Sequence, residues 1–180
     1  IHFSPMENQL VNRVAESQLK TIDLEEFFPN EEIVSFDLKD FLFQGLILKE
    51  KDFREALKNF NWENFRNKNV AVFCSTDAII PVWAFMLASV NLQPVARKVF
   101  FGTKEEMISS LYKEILTEKI NAEEYRGERV IVKGCSDKPV PVSAYVEITN
   151  LLKPVVKSLM YGEACSNVPL YKEKINSAAK

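Results

Sequence analysis

Val70-Ala71-Val72-Phe73-Cys74-Ser75-Thr76-Asp77 is answered, sixty residues further on, by Val130-Ile131-Val132-Lys133-Gly134-Cys135-Ser136-Asp137. Each stretch runs from an apolar segment into a polar loop. Each is then followed by a proline that opens a second apolar segment, Pro81-Val82 in one case and Pro141-Val142 in the other. The match extends without a gap over 61–102 and 121–162, where thirteen of forty-two paired positions are identical, Asn61/Asn121, Arg66/Arg126, Pro94/Pro154 and Gly102/Gly162 among them. Phe85/Tyr145 and Phe101/Tyr161 are chemically close besides. Self-similarity at a constant period decides a fold before any local propensity does. The two segments therefore read as a tandem duplication of one β-α-β unit.

Within each copy, Asn61 or Asn121 is an N-cap for a short helix, its side chain suited to bond the open amides. A strand follows over Asn69–Cys74 or Arg129–Lys133. Pro81 or Pro141 takes the first turn of a helix, where its missing N–H goes unnoticed. That helix ends near Leu92 or Leu152 because Pro94 or Pro154 cannot continue it. A second strand spans Val95–Phe101 or Val155–Tyr161, and the helix Lys104–Ile120 links the copies.

Strand–helix–strand units joined by helices predict mostly parallel strands with right-handed crossovers. The expected fold is a single α/β domain over 6–172. Before the copies, the pattern predicts a helix over Glu7–Lys20, a turn at Phe28-Pro29-Asn30 and a strand beginning at Ile33. A short helix and short strand within Phe41–Leu48 come next, then an amphipathic helix over Glu50–Phe60. Val82 to Val90 is apolar almost all round, which predicts burial on both sides, in the core or under a second subunit. Its counterpart carries Ser143, Glu147, Thr149 and Asn150 and so keeps one face wet.

The chain of 180 residues is 47% apolar and 27% charged, the balance of a globular protein. A formal net charge of -2 gives no bulk attraction to nucleic acid or to an anionic membrane. No apolar run approaches the ~20 residues of a membrane span. Ile1–Pro5 has neither the basic nor the apolar part of a secretory signal. Met6 reads as a natural first residue, the five before it as an added extension, and 173–180 as a flexible tail. Three cysteines without an export signal are expected to be reduced thiols, which makes the cytoplasm the expected location.

Loops at the carboxyl ends of parallel strands gather on one edge, where ligands bind. Parallel strands would bring Cys74, Asp77, Cys135, Asp137, Glu163 and Cys165 to that edge. One reading is a metal site of Cys74, Cys135 and Cys165 holding zinc or an iron–sulfur centre. Against it, the chain has no C-x-x-C pair, and its one histidine, His2, lies in the extension. A second reading makes Cys135 a reactive thiol, its pKa lowered by a helix N-terminus, though no base is at hand to assist it. The plain reading is that Cys74 is a small apolar residue at a strand end and that Asp77 and Asp137 anchor their loops. Three functions follow from this. The first is a cytoplasmic protein binding a small ligand or metal at the carboxyl edge. The second is a thiol- or metal-dependent enzyme there, and the third a homodimer formed through Pro81–Asn91 with no ligand.

Several motifs carry a resemblance: Phe43-Gln44-Gly45-Leu46-Ile47-Leu48-Lys49-Glu50, Lys133-Gly134-Cys135, Ser143-Ala144-Tyr145 and Lys157-Ser158-Leu159-Met160-Tyr161-Gly162-Glu163. They continue in Cys165-Ser166 and Val168-Pro169-Leu170-Tyr171-Lys172. Together they make the chain resemble, from Met6 to Lys172, an uncharacterised bacterial family known only as a domain of unknown function. The resemblance implies a stand-alone bacterial protein and brings no activity, cofactor or catalytic residue with it.

Overall fold

The computed structural model describes residues 19–134 and 137–174. Most of the helix predicted over Glu7–Lys20 lies outside these residues. Its last two, Leu19 and Lys20, open a strand instead. In chain order the elements begin with β1 (Leu19–Asp23) and a 3-10 turn at Leu24–Phe27, then β2 (Ile33–Asp37) and a second 3-10 turn at Leu38–Phe41. They continue through α1 (Glu50–Lys58), β3 (Asn69–Phe73), α2 (Val82–Leu92), β4 (Lys98–Phe101) and α3 (Lys104–Lys119). The last are β5 (Arg129–Lys133), α4 (Val142–Leu152), β6 (Ser158–Glu163) and β7 (Ser166–Lys172). The class is α/β and the strands are mostly parallel, as the strand–helix alternation requires. They form two sheets, ordered β2-β3-β4 and β1-β5-β6-β7.

Contacts divide the chain into two compact units, Phe28–Ile115 and the described residues of Ile1–Phe27 with Leu116–Lys180. In sequence the first is inserted into the second, so they are called here the inserted and the flanking unit. The elements recur at the spacing of sixty: 3-10 turns at Trp62–Phe65 and Ala122–Tyr125, then β3/β5, α2/α4 and β4/β6. Each unit also takes a strand from upstream in the same register. Ile33–Asp37 lies parallel to Asn69–Phe73, and Leu19–Asp23 lies parallel to Arg129–Lys133.

Those two upstream strands share a signature that the sixty-residue spacing hides, because it recurs after only fourteen: Asp23-Leu24-x-x-Phe27 and Asp37-Leu38-x-x-Phe41. In both, the aspartate Oδ1 accepts the amide two residues on, from Glu25 and from Lys39, at 3.0 Å. The bond turns the chain into its 3-10 segment. In both, the following leucine is fully buried.

The cores differ in chemistry. In the inserted unit Phe36 sits among Phe41, Phe60, Trp62 and Phe65, with ring centroids 5.3 to 5.8 Å away in stacked and edge-on arrangements. The flanking unit buries aliphatic side chains, including Ile22, Val130, Val132, Ile148, Leu152 and Leu159. Among the described residues only the inserted unit has a helix like α1. It buries Phe53 and Leu57, and the Phe53 ring packs against Trp83 of α2.

Several expectations are corrected. Phe41–Leu48 holds no short helix and strand; it is a tight turn closed by a bridge between Phe43 and Ile47, with Phe43 N donating to Ile47 O at 2.7 Å. The second strands start three residues later than predicted, because the amides of Val95 and Ala96, like those of Val155 and Val156, turn back to the carbonyl of Leu92 or Leu152. Nor is α2 buried all round. Trp83, Phe85 and Leu87 pack inward, whereas Val82, Met86 and Val90 are exposed.

Candidate functional site

In the flanking unit, the carboxyl ends of β5 and β6 open into a cleft of about 790 Å³. Val132 comes from β5, Tyr161 from β6, Leu170 from β7, and Val142, Tyr145 and Thr149 from α4. Gly134, Asp137, Lys138, Pro139 and Val140 complete the lining from the segment between β5 and α4. Pro141 precedes the helix in extended geometry, as its N-cap, and so aims this loop across the strand ends.

The position of Tyr145 depends on Gly134. The Tyr145 hydroxyl donates to the Gly134 carbonyl at 2.7 Å. A Cβ at position 134 would lie 3.1 Å from that hydroxyl and 3.0 Å from Leu24 Cβ, and the backbone there has φ +151°. A side chain there would be strained by the backbone and would press its neighbours aside by a few tenths of an ångström. The Tyr145 ring then meets Tyr161 edge-on, centroids 5.7 Å apart. Thr149 Oγ1 donates to Tyr145 O at 2.7 Å. These hydroxyl donors are spent within the protein, so the cleft presents chiefly aromatic and aliphatic surface.

The sheet edge beside the cleft is charged. Lys133 Nζ, at the end of β5, lies 3.3 Å from Asp23 Oδ2 and 3.7 Å from Glu163 Oε1, its neighbours at the ends of β1 and β6. The hydrogen bond to Asp23 and the nearby charges of Glu163 and Asp23 raise the Lys133 pKa above its ordinary value. Glu163 is thus held in an ion pair.

The other expected site residues part company. Asp137 lines the cleft, but its backbone N–H is what is held, 3.2 Å from both carboxylate oxygens of Glu25. Cys165 is exposed in the hairpin between β6 and β7. Cys135 lies outside the described residues. Cys74 belongs to the inserted unit, half-buried, with its Sγ 3.3 Å from Thr76 Oγ1. Asp77 is exposed in the same loop. Among the described residues no three His, Cys, Asp or Glu side chains lie close enough together to hold a metal ion.

Cys74 does line a cleft, a smaller one of about 370 Å³ with Ile80, Phe85 and Phe101. It is the counterpart of the first, sixty residues earlier. Phe85 meets Phe101 edge-on at 5.1 Å, as Tyr145 meets Tyr161. The aromatic pairs were visible in the sequence as conservative matches. What spacing alone could not reveal is that each pair forms one wall of a cleft.

The fold and this cleft define an α/β protein with a predominantly apolar pocket at the carboxyl ends of parallel strands. The chain belongs to the family described as protein of unknown function (DUF2480), whose model matches residues 8–173. Neither a curated protein nor a solved structure matches the chain significantly. Among the described residues no helix is long and apolar enough to cross a membrane.

Proposed function

We propose that this is a cytoplasmic binding protein whose ligand is a small, flat, largely apolar molecule held in the flanking unit's cleft. The observation that carries this reading is the cleft itself. It has the volume of a small-molecule site, aromatic and aliphatic walls, and a position at the carboxyl end of the sheet. Tyr145 and Tyr161 offer ring surface at right angles, suited to stack one face of a flat ligand and border its edge. Asp137 and Lys138 at the rim give the mouth a polar border that would orient a ligand with one polar end. Neither Cys74 nor Cys165 lines this cleft.

Titration with 1-anilinonaphthalene-8-sulfonate, followed by 1H–15N spectra, tests it. The expected result is selective shifts at the amides of Gly134, Thr149 and Tyr161. Val142 and Leu170 are 79% and 55% exposed, so charges there need not disturb folding. The double variant Val142→Glu/Leu170→Glu should bind at least about tenfold more weakly, a loss on the order of 1.4 kcal/mol. Ile79→Glu, in the loop of the inserted unit, should bind as the parent does. Shifts absent from those three amides, or undiminished in the double variant, would overturn the reading.

A further inference from the structure

The sheet of the inserted unit ends on β4, and among the described residues no strand pairs with its outer side. An open row of backbone N–H and C=O groups flanked by apolar side chains is a template for another strand. The same position in the flanking unit is filled. There β7 lies antiparallel to β6, with Leu159 opposite Tyr171 and Tyr161 opposite Val168. Lys153, the residue that caps the C-terminus of α4, sits over the Tyr171 ring at 5.4 Å.

The two units part at their equivalent glycines. After Gly162 the chain turns back as a hairpin. After Gly102 it enters α3 through reciprocal capping bonds: Thr103 N donates to Glu106 Oε2 at 2.8 Å, and Glu106 N to Thr103 Oγ1 at 3.3 Å. The chain thus continues as a helix at the point in the sequence where the flanking unit returns as a strand. A groove of about 600 Å³ remains open between α2 and β4, lined in part by Val90, Ala96, Val99 and Phe101. Beside it Val82, Met86 and Val90, four residues apart, form one exposed apolar stripe, and Phe101 is 71% exposed.

Edge lysines normally repel a second strand. Here the edge charges are neutralised within the unit, Lys98 by Glu114 and Arg97 by Glu31. That neutrality suits one occupant above others. In a two-fold contact every patch near the axis meets its own copy. An apolar stripe then meets an apolar stripe, and paired cations bring no net repulsion. We propose that β4 pairs antiparallel with β4 of a second copy. The two three-stranded sheets then join into one of six strands, and the Val82–Met86–Val90 stripes of the two α2 helices pack together.

Sedimentation equilibrium of the full chain over a concentration series tests this. The expected mass is twice the 20.7 kDa of one chain. Met86→Glu and Phe101→Glu should each weaken association at least about tenfold. Val146→Glu, the counterpart of the Met86 change on α4, should leave it intact. Circular dichroism would confirm that each variant is folded. Should either glutamate variant fail that check, Val90→Lys, at a position 68% exposed, replaces it with the same expectation. A single-chain mass at every concentration would overturn the proposal. So would a dimer that survives Met86→Glu and Phe101→Glu, or one lost only with Val146→Glu.

Discussion

The inserted and flanking units are one framework finished in two ways. Both use an upstream strand ending in Asp-Leu-x-x-Phe, a parallel neighbour, a proline-led helix and a last parallel strand. They differ in what covers that framework. The inserted unit adds α1 over its helix and leaves the edge of β4 open. Among the described residues the flanking unit has no such helix, and it covers the edge of β6 with β7. Residue choice follows the cover: Trp83, which meets Phe53 of α1, is replaced at the matching position by Ser143, which is exposed. A shared backbone therefore dictates little about surface. The accessory element decides which side chains a helix can carry.

The largest test of that contrast lies in the cores. Phe36→Ala removes the ring that touches four others, and should cost the inserted unit about 3–5 kcal/mol. Ile22→Ala, at the matching position of β1, removes less volume and should cost about 2–4 kcal/mol. Urea denaturation of both variants checks the order. Equal losses would mean that the aromatic cluster adds nothing beyond its area.

The next test concerns Gly134 and Tyr145. Gly134→Ala places a Cβ against the Tyr145 hydroxyl and Leu24, on a backbone unsuited to it, and should cost about 1–3 kcal/mol. Tyr145→Phe alone gives up one hydrogen bond, about 1 kcal/mol. Together the two should cost less than their sum, because Phe leaves room for the Cβ. Cys74 opposite Phe85 shows that solution already at work in the inserted unit. Additive losses in a double-mutant cycle would refute the steric link.

The smallest effect is one of pH. Burial pushes the Asp37 carboxyl upward. Hydrogen bonds from the Ser75 hydroxyl and from the amides of Lys39 and Ser75, with the Lys39 charge, outweigh it and hold its pKa below the ordinary value. A carboxyl depressed by folding stabilises fully above its unfolded pKa of about 3.9, and that stability is lost as pH falls through the folded value. Asp37→Ala should therefore cost about 1 kcal/mol at pH 7, and the gap from the parent should narrow below about pH 4. A gap that stays constant into acid would rule out the charge as its source.

Much of this was legible in the residues. The sixty-residue spacing located both helices and the strands before them, because proline positions and apolar runs are local signals. The Asp-Leu-x-x-Phe pair escaped it, since that repeat comes round after fourteen residues and each copy serves a different sheet. The segment Ser166–Lys172 lies beyond the second copy and has no sixty-residue partner to read it against. It is a strand, and Pro169 fits within it because β7 is an edge strand with an irregular register opposite Leu159 and Met160. Cys74 and Cys165 drew attention as chemistry-bearing residues, but neither lines the larger cleft, where Tyr145, Tyr161 and several valines stand that the repeat marked only as framework.

By itself, then, the sequence determined the α/β class and the mostly parallel strands, and it pointed to a single carboxyl edge as the place for a site. Periodicity, prolines and glycines act over a few residues and need no distant partner. Tertiary structure alone decided that the strands form two sheets, that α2 leaves Met86 and Val90 uncovered, and that Tyr145 and Tyr161 form a wall of the larger cleft. Each of those outcomes depends on which strand or helix packs beside a given residue. Pairing partners lie as far apart in the sequence as Asp23 and Lys133, and no local pattern encodes the choice.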